Sequence, residues 1–122
     1  MYRENLGESY RQRVRKILGA DNKICSDMMI DADFNIGAMR AIIGQEINKM
    51  QLDGAVVNNA EKYSALQEAA LYALAGVLCV AISSRVKVPP FNKKKYAKDW
   101  VAKQRSCLDK AHLLIEKVKN MG

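Results

Sequence analysis

Apolar residues recur at helical spacing in the first segment of the chain. Over residues 8–18 they share one face while arginine and lysine cover much of the remainder, and Gly19 follows as a helix stop. A further short turn of helix is expected at 26–30, capped by the Ser26 side chain. The apolar positions that predict the first helix are Tyr10, Val14, Ile17 and Leu18.

The segment IDADFNIGAM predicts the start of a longer helix, which extends over about 34–50 with apolar residues at spacings of three and four. Asp31 or Asp33 can accept hydrogen bonds from the free amides of its first turn. Gly37 and Gly44 lie on nearly the same face of this helix and suggest close packing of another backbone there. The stripe itself consists of Ile36, Met39, Ile43, Ile47 and Met50.

A third helix is predicted over 60–83 and is apolar nearly all round, which is typical of a helix at the centre of a bundle. Its uncharged apolar run, 69–82, is shorter than the ~20 residues that span a bilayer, so we expect a buried core helix and no membrane partner. Small side chains on this helix would let neighbouring helices approach closely. They are Ala69, Ala70, Ala73, Ala75 and Gly76.

The pattern then changes abruptly at Pro89 and Pro90, which cannot continue a helix. Residues 85–88 alternate like a short strand or an extended arm, and a last helix is expected from residue 93 or 95 to 119. Its apolar face is marked by Trp100, Cys107, Ala111, Leu114, Ile115 and Val118. The chain 1–122 is therefore predicted to be one all-α domain, a bundle of about four helices with an extended, proline-containing break before the last.

Charge is distributed unevenly along the chain, whose formal net charge is +7. Residues 1–19 and 85–122 are basic, whereas the middle segment, 20–84, carries more acidic than basic side chains. This asymmetry suggests an anionic partner, either a nucleic acid or an acidic protein surface. Solvated faces of amphipathic helices would produce the same composition.

Residues that carry chemistry are sparse. Cys25, Cys79 and Cys107 form no CxxC pair, so neither a disulfide framework nor a zinc site is expected. We expect reduced thiols in a cytoplasmic compartment. The one histidine, His112, has no paired carboxylate motif. No phosphate-binding loop or nucleophile elbow occurs, and the start of the chain lacks the apolar region of a secretory signal. The sequence predicts a protein that is not an enzyme and uses no cofactor.

A basic patch is the clearest candidate for contact with phosphate or with an acidic surface. The aromatic residues Tyr96 and Trp100 interleave with it. The patch supports one hypothesis for function, a helical protein that binds nucleic acid without sequence specificity. Its members are Arg85, Lys87, Lys93, Lys94 and Lys95.

The order of segments supports a second hypothesis. An amphipathic first helix is followed by IDADFNIGAMRAII, a loop, the small-residue helix ALQEAALYALAGVLC, a proline-bearing break and a basic last helix. Over about residues 9–119 this order resembles the small head–tail connector, or adaptor, proteins of tailed bacteriophages and prophages. The resemblance rests on helix and packing patterns.

Membership of that family would imply a structural virion protein at the neck, between head and tail, assembled in the host cytoplasm. It would form an oligomeric ring, typically a dodecamer, that joins the portal protein to a stopper or tail-completion protein and extends the channel for the genomic DNA. The family's C-terminal segment docks against the portal. Residues 105–122 match it here, without a long flexible tail beyond them, so the expected contacts with the portal or a neighbouring subunit are Arg105, Lys110, Leu114, Lys117 and Lys119.

Overall fold

The computed structural model describes residues 6–52 and 60–121, the side chains of 45–52 excepted. Within these ranges the chain forms helices and turns but no strand, so the predicted all-α bundle with a long apolar central helix is confirmed. The helices are α1 (Tyr10–Leu18), α2 (Asp27–Asp31), α3 (Asp33–Leu52), α4 (Ala60–Arg85) and α5 (Trp100–Lys119).

Cap residues fix the end of α1 and the start of α2. Gly19 adopts a left-handed conformation (φ 63°) that ends α1, and the Ser26 hydroxyl accepts a hydrogen bond from the Met29 backbone N–H to start α2. Asp31 ends α2, where it accepts hydrogen bonds from the Tyr10 hydroxyl and the Arg11 guanidinium. The prediction that Asp31 or Asp33 caps the next helix did not include this role, in which Asp31 joins α2 to α1.

Helix α3 begins at Asp33 and buries Ile36, Met39 and Ile43 against the rest of the bundle, as its apolar spacing predicts. The last two positions of the predicted stripe lie outside the described side chains. The prediction of close packing at the two glycines is not supported, because a Cβ added at Gly37 or Gly44 would meet no atom of the described residues within 4 Å.

Helix α4 lies at the centre of the bundle and contacts the four other helices. Its length and a mean hydropathy of 1.8 over its most apolar window would suffice to cross a membrane, but 61 % of that window is buried inside the protein. Residues are buried on every side of α4, which is why its sequence lacks a polar face. They are Leu66, Ala69, Ala70, Leu71, Ala73, Leu74, Ala75, Gly76, Leu78, Cys79 and Ile82.

The connection between α4 and α5 holds no strand. The amides of Val86, Lys87 and Val88 donate to carbonyls three or four residues earlier, so the chain turns after α4, and both the strand and the extended arm predicted for 85–88 are wrong. The proline pair, joined by a cis peptide bond, then separates α4 from α5 as expected. The last helix starts later than predicted, because Lys94–Tyr96 form a single 3-10 turn and Asp99 caps α5 through the Ala102 amide.

Candidate functional site

An open cleft of about 460 Å³ lies where α4 ends and α5 begins. Its lining includes Lys87 after α4, Lys93 and Lys94 in the connection, and Lys98 just before α5. Four lysines and the Asp99 carboxyl that caps α5 line one concave surface, whose net positive charge is suited to phosphate or carboxylate groups. We call this region the basic cleft.

The basic cleft is held in place by the turn that follows α1. The Lys98 ammonium donates a hydrogen bond of 2.6 Å to the Gly19 carbonyl, and the Tyr96 hydroxyl donates one of 3.2 Å to Asp21. Burial opposes ionisation of Asp21, but bonds from the Ile24 and Lys23 amides and from Tyr96 outweigh it and lower the pKa of this carboxyl. The ionised Asp21 carboxyl thus accepts a hydrogen bond from Tyr96 and anchors the connection that carries the lysines.

The aromatic residues beside the cleft have a structural role. Tyr96 is 7 % exposed and Trp100 is 5 % exposed, and the Trp100 indole N–H donates to the Tyr96 carbonyl at 3.1 Å. Neither ring presents a free face to a base, so the aromatic interleaving seen in the sequence does not supply a stacking platform. Binding of a nucleic acid at the cleft would therefore depend on the charge of the lysines and not on stacking.

Two members of the predicted basic patch are turned towards aromatic rings. The half-buried Arg85 places its guanidinium carbon 4.5 Å from the Phe91 ring centroid, and the Lys95 ammonium lies 4.9 Å from that of Tyr96. The structure thus gathers Lys87, Lys93 and Lys94 in the cleft and leaves Arg85 and Lys95 outside its lining. The sequence analysis did not include Lys98 in the patch. Its position one residue before Asp99, a residue type that commonly caps helices, was the signal that it precedes the helix and lies near the other lysines.

The residues expected to meet a portal are not all on the surface. Arg105, Lys110, Lys117 and Lys119 are exposed, and Lys119 pairs with Glu116 at 3.1 Å. Leu114 packs in the core with 7 % of its surface exposed, so its assignment as a contact residue is wrong. The buried face of α5 faces α4, and Leu114 belongs to that face.

A line of lysines runs along one flank of α5. Lys103, Lys110 and Lys117 are spaced by seven residues, or about two helical turns, so they align along the axis. Lys110 and Lys117 are exposed and Lys103 is partly exposed. We call this line the basic flank; Arg105 lies outside it. The seven-residue spacing was visible in the sequence, but Lys103 was not chosen as a site residue.

The thiols are placed for packing. All three cysteines are buried and free, and burial raises the pKa of Cys25 to about 11. The thiols of Cys79 and Cys107 interact across the contact of α4 with α5, and this interaction together with burial raises the pKa of Cys79. Within residues 6–52 and 60–121, no three histidine, cysteine or acidic side chains converge as metal ligands.

Comparison with protein-family models, with curated proteins and with solved structures finds no match for this chain. The basic cleft and the basic flank are both surfaces of positive charge on the helical bundle, to which groups of opposite charge are attracted.

Proposed function

We propose that this chain is a structural head–tail connector of a tailed bacteriophage or prophage, an adaptor that binds the portal protein and assembles as a ring at the virion neck. The order of segments supports this role, as does a bundle whose last helix carries exposed basic residues. The observation that carries the proposal is the basic flank, because Lys103, Lys110 and Lys117 lie on one continuous strip of α5 outside the core.

The basic flank fits an acidic surface of a portal protein or of a neighbouring subunit. Its strip is about 21 Å long, the rise of fourteen helical residues, which is enough to meet several acidic side chains. Adjacent copies in a ring join unlike surfaces, so a chain with a basic last helix and a more acidic middle segment has the asymmetry that such contacts use. DNA in this role passes through the assembled channel.

The proposal is tested with the portal protein encoded beside this chain. Portal and capsid genes are expected immediately upstream, and co-expressed portal should retain the chain in assemblies visible by electron microscopy and native mass spectrometry. Lys110→Glu with Lys117→Glu should weaken this binding at least tenfold, because opposed charges become like charges at the contact. Titration by surface plasmon resonance measures the change in affinity.

The matched control is Lys16→Glu with Lys23→Glu, which makes the same charge change at exposed positions on and just beyond α1. This control should leave portal binding within about twofold of the unchanged protein, since screening weakens charges far from the contact. Equal losses in the two double variants would reject the basic flank as the contact. A chain that ignores portal at every salt concentration, or a gene without portal and capsid neighbours, would reject the connector role.

The basic cleft favours a second candidate function, non-specific binding of double-stranded DNA. Binding should then weaken steeply with salt, and Lys93→Ala with Lys94→Ala should flatten the plot of log affinity against log salt by about 1.8, since each phosphate that is no longer neutralised changes the slope by about 0.9. Fluorescence anisotropy with a short duplex at several salt concentrations gives the slope. Lys16→Ala with Lys23→Ala is the control, and an unchanged slope in the cleft variant would exclude the cleft as a DNA site.

A further inference from the structure

The face of α5 opposite its buried side carries a second ordered stripe. Val101, Arg105, Asp109 and Leu113 follow one another at intervals of four residues and so form one ridge on the helix surface. All four are exposed, and the two apolar ends are 64 % and 67 % exposed. We call this ridge the outer stripe. It lies beside the basic flank, since Lys110 lines the same surface as Arg105, Asp109 and Leu113.

The outer stripe is self-complementary when reversed. Along the chain it reads apolar, positive, negative, apolar, and a second copy running in the opposite direction places Val101 against Leu113 and Arg105 against Asp109. A parallel copy would instead place each charge against its like. Across the described residues, neither Arg105 nor Asp109 forms an ion pair or side-chain hydrogen bond, so both charges remain available for such pairing.

We propose that the outer stripe is an interface with a second copy of this chain. In this interface two α5 helices pack antiparallel about a two-fold axis that passes midway between Arg105 and Asp109. The contact is isologous: each Arg105 meets the partner's Asp109, so the two ion pairs form together, with a Val101–Leu113 contact at each end. Single exposed apolar side chains are ordinary on a protein surface. Here two of them stand at matched distances on either side of a charge pair that completes the symmetry.

The geometry favours a second copy over other partners, because the charges and apolar side chains of the stripe match those of the same stripe in reverse order. The ridge spans about 18 Å, so the contact is small and the dimer should depend on concentration and salt. This interface does not rest on the proposed connector role, since a ring closes through heterologous contacts whereas this contact is isologous. The partner expected is the identical chain, unmodified and without a ligand.

Sedimentation equilibrium over a wide concentration range provides the first test. Arg105→Glu should raise the dimer dissociation constant at least tenfold, because both symmetry-related contacts become repulsive, and Asp109→Arg should do the same. Mixing these two variants should restore association as a heterodimer, since each contact then joins opposite charges. Lys16→Glu, with the same kind of charge change at an exposed position of α1, should leave the constant within about twofold. Circular dichroism checks that each variant is folded.

Chemical cross-linking tests the orientation. A tagged Val101→Cys variant and an untagged Leu113→Cys variant are mixed and treated with a short bismaleimide, while the native cysteines are protected by burial. The antiparallel contact predicts tagged-to-untagged products in clear excess over products that join like variants. Predominance of like-to-like products would overturn the antiparallel arrangement. A monomer at every concentration, or failure of the mixed charge variants to associate, would overturn the interface.

Discussion

Replacing Leu74 by alanine should lower the free energy of unfolding by about 3 kcal/mol, a large share of the stability of a small domain. Leu74 is fully buried in the middle of α4, the helix that contacts the four others. Truncation removes apolar contacts and leaves a cavity that surrounding helices can fill only in part. Urea denaturation followed by the fluorescence of Trp100, the one tryptophan, measures the change.

Val80→Ala is the matched control for Leu74→Ala, because Val80 lies on the same helix but is 56 % exposed. Its effect should stay within about 0.5 kcal/mol, the usual range for substitutions at the surface. If the two variants lose similar stability, α4 does not have the central position that its burial indicates, and the packing of the other helices around it is wrong.

Gly76→Val should lower the free energy of unfolding by about 2 kcal/mol, through overpacking of α4 against α5. A Cβ at Gly76 would lie 2.7 Å from Cδ2 and 2.9 Å from Cγ of Leu108, and 3.6 Å from the Cys107 Cβ. Valine adds two further methyl groups at this point. The helices must separate or Leu108 must leave its position, and a thermal or urea unfolding curve records the cost.

Gly37→Val supplies the comparison for Gly76→Val, because it makes the same substitution in α3 at a position open to solvent. There the free energy of unfolding should change by no more than about 0.5 kcal/mol, since valine has a somewhat better helix propensity than glycine and its Cβ meets no described atom within 4 Å. A loss of stability as large as that of Gly76→Val would contradict the close approach of α4 and α5 at Gly76.

The local signals in the sequence predicted several boundaries well. Gly19 and Ser26 act as the helix stop and cap expected of them, because both work through their own backbone or nearest amides. The start of α5 was placed five to seven residues too early. Lysine-rich residues are compatible with a helix, but the cap at Asp99 and the bond from Tyr96 to Asp21 hold the preceding segment in another conformation.

The candidate surfaces show a similar division. Sequence composition identified the basic patch and the basic last helix, since charge can be counted along the chain. Helical spacing placed Leu114 on the apolar face of the last helix and left Leu113 out of that face, and both placements are confirmed, because positions one residue apart on a helix differ by about 100°. The choice of Leu114 as a portal contact disregarded this spacing. The sequence could not show that Arg85 and Lys95 contact aromatic rings outside the cleft lining.

The sequence by itself determined the all-α class, the central position of α4 and the concentration of positive charge at the end of the chain, because hydrophobic periodicity, helix caps and charge are local properties. Tertiary structure alone decided that Lys98 joins Lys87, Lys93 and Lys94 at one cleft, that Asp31 joins α2 to α1, and which side of α5 stays uncovered. These features depend on contacts between residues far apart in the chain, and such contacts form only when the helices pack together.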